Sequence, residues 1–326
     1  MSIDFQGAYD LSSSTVLANS RAQDRTSAYP TTFWLLFLTL VPGGVFLLTC
    51  LNPFVGFVGI ICFAIGSLQA FVLLHECGHR ALSRNKILCS GVGWLCGFIC
   101  LLPFYSWTLV HHGHHIWAGW KDKDPTTAQV AGKAPAGIQK WILELAWKLM
   151  LPLPTFFYRF GIFWNPRLVL RQAKTPRMRR YVIFEWVFNV CLYVWIISWM
   201  PKWLLIRFAL AFLLSLVLAE ALMLSQHTHI PQQFAQGKRV HPFSPSQQVI
   251  FTRSLFVPRW IEQNILLGFN KHEAHHLHPT CPGNLLPHLE VGSGRSSDWL
   301  AWFFLIRRKS ATKILYSDES KTGLFL

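Results

Sequence analysis

The sequence predicts an all-α integral membrane protein with four transmembrane helices in two hairpins, a cytoplasmic histidine-rich cap, and in-plane or re-entrant helices. Three observations support this fold class. Charged residues make up only 14% of the 326 residues, whereas a soluble domain has about 25%. Four apolar stretches are long enough to cross a bilayer, which needs about 20 residues. Nearly all lysine and arginine residues lie on one side of these stretches.

The four apolar stretches come in two pairs. In chain order they are residues 33–51, 54–74, 181–200 and 203–224. Only Asn52-Pro53 separates the first two, and only Pro201-Lys202 separates the last two. Such short turns predict two hairpins, each of which crosses the membrane and returns. We therefore expect the long polar regions to lie on the same side.

Two further apolar stretches are ambiguous. Residues 87–104 contain Gly91, Gly93 and Gly97, and a full span here would place the histidines that follow across the membrane from those that precede it. We therefore interpret this stretch as re-entrant or in-plane. Residues 141–158 are interrupted by two prolines, which break helices, so this stretch is interpreted as interfacial.

The charge distribution predicts the orientation. Of the 30 lysines and arginines, only Lys202 and Arg207 fall in the predicted outer regions. The positive-inside rule then places the remaining 28, and both termini, on the cytoplasmic side. The net charge of +15 is explained by topology, and no nucleic-acid-binding motif is present. Residues 1–30 are interpreted as a polar cytoplasmic tail, residues 31–290 as the membrane domain, and residues 291–326 as a cytoplasmic C-terminal tail.

Three histidine clusters are the main functional signal. They are His75-Glu76-Cys77-Gly78-His79, His111-His112-Gly113-His114-His115 and His272-Glu273-Ala274-His275-His276. Residues at i, i+3 and i+4 share one face of a helix, so each cluster can direct two or three imidazoles at one point. Neutral imidazole is a ligand for iron, copper, nickel and zinc. Without His112, which lies outside the HxxxH and HxxHH spacing, eight such residues remain, which are too many for one tetrahedral metal and suit two metals.

A fourth histidine cluster is the pair in Gln226-His227-Thr228-His229, which lies at the end of the last predicted span. His227 is the better ligand candidate because it is nearer the helix, and His229 is a second candidate. Ligand histidines usually donate their other N–H to a carboxylate or a carbonyl. The candidate carboxylates are Glu76, Asp124, Glu220, Glu262 and Glu273. Glu220 lies within a predicted span, where it needs a partner, either a ligand histidine or an arginine.

These clusters and the hairpin spacing resemble those of the membrane fatty acid desaturase family, most closely its Δ12-type acyl desaturases, over residues 30–290. The resemblance implies a non-haem centre of two iron ions, O2 as co-substrate, a lipid or acyl substrate, and a separate electron donor of the ferredoxin or cytochrome b5 type. It implies that the iron ligands are His75, His79, His111, His114, His115, His272, His275 and His276, and it adds His227. The sequence contains no HPGG haem-binding signature, so we expect no fused cytochrome domain.

The expected function is O2-dependent desaturation of an acyl-lipid or acyl-CoA chain. Removing hydrogen from an unactivated methylene needs a strong oxidant, which a redox metal can supply and zinc cannot. A hydroxylase or a carotenoid ketolase on the same scaffold stays open. His75-Glu76-x-x-His79 also fits the HExxH signature of zinc metalloproteases. A metal carrier or sensor is disfavoured because the clusters lie outside the predicted spans.

Overall fold

The computed structural model describes residues 29–291 and 295–325, so most of the polar segment 1–30 lies outside the described residues. The longer helices are α1 Thr31–Thr49, α2 Pro53–Gly78, α3 Lys86–Ile99, α4 Phe104–Trp117, α5 Gly137–Lys148, α8 Pro176–Trp199 and α9 Lys202–His227. The shorter helices are α6 Leu153–Tyr158, α7 Pro166–Gln172, α10 Pro245–Gln248, α11 Arg259–Asn264, α12 His272–Leu277, α13 Trp299–Arg307, α14 Ala311–Tyr316 and α15 Glu319–Thr322. Two short parallel strands, β1 Arg253–Phe256 and β2 Arg295–Asp298, pair with Arg253 opposite Arg295.

Four of the described helices, α1, α2, α8 and α9, are long and apolar enough to cross a membrane. Each overlaps one of the four predicted stretches, so the prediction of four membrane-spanning helices is confirmed. Helices α2 and α9 run past the predicted ends of their spans to Gly78 and His227. Because of this extension, the first histidine cluster and His227 begin on regular helix.

Helices α1, α2 and α9 pack together. Glycines in α2 allow α1 to approach closely, since a Cβ on Gly59 would lie 2.7 Å from the Leu48 nitrogen. Small residues at such contacts are typical of packed membrane helices. Helix α9 packs along the other side of α2, and α8 contacts α4. The arrangement of α8 and α9 as a second hairpin stays a prediction.

The ambiguous stretch at 87–104 forms α3 and the break that follows it. Helix α4 leaves this break at an angle of 101° to α3. Carbonyl groups at the break accept hydrogen bonds from distant side chains: Phe98 from Tyr193, Cys100 from Arg159, and Leu101 from Trp164. Irregular backbone at membrane depth needs such internal partners. These hydrogen bonds therefore stabilise the bend between α3 and α4.

The C-terminal residues differ from the predicted tail. Helix α13 packs on α9, and α14 packs on α5. Trp147 of α5 is fully buried there against Trp302, Ile306 and Ile314. Trp302 and Ile306 lie one helical turn apart, and a single amphipathic turn of this kind is a weak sequence signal.

Candidate metal centre

The first histidine cluster lies at the C-terminal end of α2. His75 is on the last helical turn, and His79 is the residue that caps the helix. A Cβ on Gly78 would lie 2.4 Å from the Trp107 ring. The glycine therefore allows α4, which carries Trp107, to pack directly against the first cluster.

The second cluster lies on α4, whose N-terminus is held by a carboxylate from α8. Glu185 accepts hydrogen bonds from the backbone nitrogens of Phe104, at 2.6 Å, and Tyr105, at 2.9 Å. Glu185 is only 2% exposed, and no side chain from the N-cap residue Pro103 bonds this helix end. The sequence analysis missed Glu185, although a carboxylate inside a predicted span is a signal of a buried partner.

The third cluster lies on the short helix α12, which is tied to β1. The Asn270 side chain donates to the Leu255 carbonyl at 2.9 Å, and the Ser254 hydroxyl accepts from the Glu273 nitrogen at 3.3 Å. A helix of six residues is not stable alone. These bonds to β1 therefore fix the direction in which its histidines point.

The histidines converge as two groups of four. Within each group, the nitrogen atoms available as ligands lie within 4.8 Å of one another. The first group is His75, His79, His111 and His275, and the second is His114, His227, His272 and His276. Adjacent positions on one helix, such as His275 and His276, thus serve different groups. The two groups adjoin, since the ring centroids of His111 and His114 are 5.7 Å apart.

His115 lies beside the first group. Its Nε2 atom is 3.1 Å from Nε2 of His111 and 3.0 Å from Nε2 of His275. Its ring centroid is also 4.5 Å from that of His276 in the second group. His115 therefore lies between the two groups, and all nine of the ring systems expected as ligands come together.

Three imidazoles of the second group have their Nδ1 atoms fixed by an acceptor. The pairs are His114 with Asp124 Oδ2 at 2.6 Å, His227 with the Phe251 carbonyl at 3.0 Å, and His276 with Gln248 Oε1 at 2.8 Å. A neutral imidazole that donates from Nδ1 has an unprotonated Nε2. These three Nε2 atoms therefore present lone pairs to the centre of the group.

Gln248 was not identified from the sequence, and its orientation is fixed by two donated bonds. Its amide nitrogen donates to the carbonyls of His115, at 2.7 Å, and Phe243, at 3.0 Å. Its oxygen therefore faces His276 and accepts from Nδ1. One side chain thus links the helices of the second and third clusters.

The close nitrogen contacts fit a bound cation. Nε2 of His114 and Nε2 of His276 lie 3.2 Å apart, and when both rings donate from Nδ1 neither Nε2 carries a proton to join them, so that their lone pairs repel. A shared metal ion removes this repulsion, because nitrogen ligands at about 2.1 Å from one ion lie about this far apart. In the first group, Nε2 of His79 is buried without a hydrogen-bond partner among the described residues. The residues present thus fit two bound metal ions.

Burial favours the neutral, ligand form of the third cluster. Desolvation, followed by the neighbouring histidines, holds the pKa values of His272, His275 and His276 well below their usual range. Burial acts to raise the pKa of Asp124, but His114 and hydrogen bonds from Thr126 outweigh it and lower this pKa. Burial thus favours neutral imidazoles in the third cluster, and the contacts of Asp124 favour its ionised form.

Two other predicted carboxylates have different partners. Glu76 accepts from the Tyr29 hydroxyl and the Gly283 nitrogen, both at 2.8 Å, and its nearest oxygen is 3.6 Å from Nδ1 of His75. Glu220 forms a buried ion pair with Arg307, so of the two partners left open by the sequence, a ligand histidine or an arginine, the structure has the arginine. Glu220 lies seven residues before His227, about 10 Å away along α9, which leaves it beside Arg307 of α13 and far from the ligand rings.

The remaining candidates also lie away from the histidine rings. Glu273 faces β1 and β2, where burial raises its pKa, and Glu262 pairs with Lys271 at 3.3 Å. His229 belongs to neither group, and its Nε2 lies 2.7 Å from the Thr322 hydroxyl. Its left-handed backbone, with φ of 66°, follows the end of α9 and turns its ring away. The structure thus contradicts the candidate ligand role of His229.

A cavity of about 370 Å³ adjoins both groups. Its wall includes His75 and His111 of the first group and His114, His227 and His272 of the second. Apolar side chains dominate the rest of the wall, including Phe71, Trp107, Ile162, Met223 and Phe269. The arrangement offers a largely apolar space in which an apolar molecule can lie against the ligand histidines.

Comparisons with known proteins identify relatives of this chain. A Delta(12) fatty acid desaturase of Mortierella isabellina and one of Mortierella alpina are each 32% identical over 127 residues, which cover 35% of this chain and 30% of each relative. An "sn-2 acyl-lipid omega-3 desaturase (ferredoxin), chloroplastic" of Helianthus annuus is 34% identical over 95 residues, covering 29% of this chain and 21% of that relative. The chain thus spans less than a third of the length of these relatives. The fatty acid desaturase family model matches residues 52–293, well over half of the chain, and the chain therefore belongs to the fatty acid desaturase family.

Proposed function

We propose that this protein catalyses the O2-dependent desaturation of a fatty acyl chain at a centre of two iron ions. The observation that carries the proposal is the convergence of two four-histidine groups on the wall of one largely apolar cavity. Metal ligands alone would fit a storage site, but a metal carrier needs no apolar cavity beside its ligands. An acyl chain is the substrate whose chemistry matches that cavity.

The metal ions would be held almost wholly by histidine. The first would bind His75, His79, His111 and His275, with His115 beside them, and the second would bind His114, His227, His272 and His276. When bound, iron would supply the redox chemistry with O2 that an unactivated methylene requires. Desaturation then removes two hydrogens from the chain and reduces O2 to water, with two further electrons from a separate donor.

The protein's own residues orient the ligands and exclude water. Asp124, Gln248 and the Phe251 carbonyl each hold an Nδ1 proton and so direct an Nε2 lone pair inward. Such supporting bonds usually affect metal affinity about 10- to 100-fold. Trp107 and Phe269 pack against His75 at centroid distances of 5.6 and 4.9 Å, which shields the first group from solvent.

The zinc metalloprotease alternative requires Glu76 to act as a general base beside the metal. Glu76 instead accepts hydrogen bonds from the Tyr29 hydroxyl and the Gly283 nitrogen, and its oxygen nearest to a histidine of the groups lies 3.6 Å from Nδ1 of His75, so the carboxylate is already held by other partners. A single zinc would also leave five or more converging histidines without a role. The contacts of Glu76 therefore favour the desaturase proposal.

We also propose that the histidine groups and both termini lie on the cytoplasmic side. The support is the distribution of lysine and arginine, of which only Lys202 and Arg207 lie near the opposite ends of the spans. A ferredoxin or cytochrome b5 type protein on that side would supply the electrons. Labelling of single introduced cysteines in sealed membranes would test this orientation.

The decisive experiment is expression in a host with a defined lipid profile, followed by fatty acid and carotenoid analysis by mass spectrometry. We expect acyl products that have lost two hydrogens, only in the presence of O2, and no such product from a His275→Ala variant. His241→Ala is the matched control, since His241 belongs to neither group.

Other outcomes would contradict the proposal. Products that have gained oxygen would assign a hydroxylase or a ketolase. One zinc per chain with activity that survives without O2 would assign the protease. Two tightly bound irons without any O2-dependent product would assign a storage or sensing role.

A further inference from the structure

C-terminal helices close one side of the cavity. We define the C-terminal strap as residues 299–322, which contain α13, α14 and α15. The strap follows residue 293, where the match to the family ends. Two of its residues, Leu315 and Tyr316, line the cavity beside the histidine groups. Part of the cavity wall thus comes from outside the matched region.

Helix α5 anchors the middle of the strap. The Trp147 indole donates to the carbonyls of Ile306, at 3.2 Å, and Lys309, at 3.1 Å. Glu144 accepts from the Ser310 hydroxyl at 2.6 Å and from the Ala311 nitrogen at 2.8 Å. These bonds fix the start of α14, the helix that carries Leu315 and Tyr316.

Helix α9 and His229, which follows its end, anchor the strap at two further points. Arg307 pairs with Glu220, and both side chains are almost fully buried. The His229 carbonyl accepts from the Glu319 nitrogen at 3.1 Å, and the His229 ring contacts Thr322 at 2.7 Å. Since His229 follows His227 by two residues, the strap is tied next to a predicted metal ligand.

The cavity that the strap closes suits an uncharged occupant. No aspartate, glutamate, lysine or arginine occurs among the described residues that line it. Leu143, Leu224 and Leu315 line it and also pack on the buried core around Trp302. Away from the histidine groups, a carboxylate or a phosphate group inside would have no lysine or arginine partner among these lining residues, and burying an unpaired charge is costly. The enclosed part of a substrate is therefore its hydrocarbon chain.

We propose that the C-terminal strap selects the substrate, with Leu315 and Tyr316 setting how much of an acyl chain the cavity accepts. This rests on the proposed function for the identity of the chain. The anchoring bonds hold these two side chains in place, so the wall is firm enough to discriminate by length. In hydrophobic pockets a single methylene is worth about 10-fold or more in selectivity.

The test compares Leu315→Trp with Leu315→Ala in the full-length protein. Two quantities are measured: the acyl chains that co-purify with the protein from a host of mixed chain lengths, and the unsaturated products in that host. We expect Trp to lower the ratio of the longest to the shorter chains about 10-fold, and Ala to raise it. Leu305→Trp is the matched control, since Leu305 is on the strap, is 41% exposed and does not line the cavity.

The outcomes separate this inference from the proposed function. An unchanged chain profile in both Leu315 variants, beside normal product formation, would overturn the role of the strap. A shifted profile of co-purified chains without any desaturated product would uphold the strap and overturn the desaturase proposal. Leu315→Ala keeps the test decisive if the larger Trp side chain prevents folding.

Discussion

His227 and His229 are separated by one residue but lie in different environments. His227 is on the last turn of α9 and faces the second group. His229 follows the end of the helix with a φ of 66°, and its ring bonds Thr322 instead. Sequence spacing ranked His227 first, but the backbone angle that excludes His229 cannot be obtained from spacing.

This difference predicts that two alanine substitutions affect the metal content differently. His227→Ala is expected to remove a ligand of the second group, so that metal content falls from two ions toward one per chain. His229→Ala is expected to keep both ions, because its ring faces the strap. Elemental analysis of the purified variants measures both. Loss of an ion in His229→Ala alone would contradict the assignment.

Asp124 supports the second group through His114. Asp124→Ala is expected to lower metal affinity about 10- to 100-fold, since His114 loses the acceptor at 2.6 Å that orients it. Competition with a chelator measures this affinity. Asp122→Ala is the matched control, because Asp122 accepts from the backbone of Ala235 and Gln236 and contacts no ligand histidine. Equal effects of the two substitutions would refute the role of Asp124.

Among the elements, α4 depends on a partner far away in the sequence. Its three ligand histidines can point to two groups only if the helix starts at the correct place and angle. Glu185 of α8 supplies the acceptor that Pro103 lacks. Helix periodicity predicted which histidines share a face, but it contains no information on this contact between residues 80 positions apart.

Removing the Glu185 carboxylate should destabilise the protein and its second cluster together. Glu185→Ala leaves two buried N–H groups without an acceptor, and each such group costs about 1–3 kcal/mol. Glu185→Gln keeps one carbonyl acceptor and is expected to restore part of the loss. Thermal unfolding in detergent and metal content measure the two effects. Full stability of the alanine variant would contradict this view of α4.

At the scale of the whole molecule, Glu220 and Arg307 join the membrane helices to the strap. Breaking a buried ion pair by removing one partner costs about 3–5 kcal/mol, whereas replacing both with apolar residues can be neutral. Glu220→Leu is thus expected to lower the unfolding temperature strongly, and Glu220→Leu with Arg307→Met to recover most of it. Equal melting of the single and double variants would show that the two side chains are not coupled.

The sequence predicted the large features of the molecule because they are local. Four apolar stretches gave four candidate spans, and helical spacing gave the clusters. Contacts between distant segments could not be predicted in the same way. The division of adjacent His275 and His276 between two groups depends on where three other helices lie. The packing of the C-terminal helices was not predicted, because the buried face of each helix is short.

The bend between α3 and α4 has a consequence for the order in which the chain is assembled during synthesis. Its carbonyls are satisfied by Arg159, Trp164 and Tyr193, and the start of α4 by Glu185. All four residues emerge from the ribosome well after α4 itself. The second cluster therefore has no stable position until α8 has entered the membrane. A nascent chain that stops before residue 159 should accordingly expose this region to quality-control proteases.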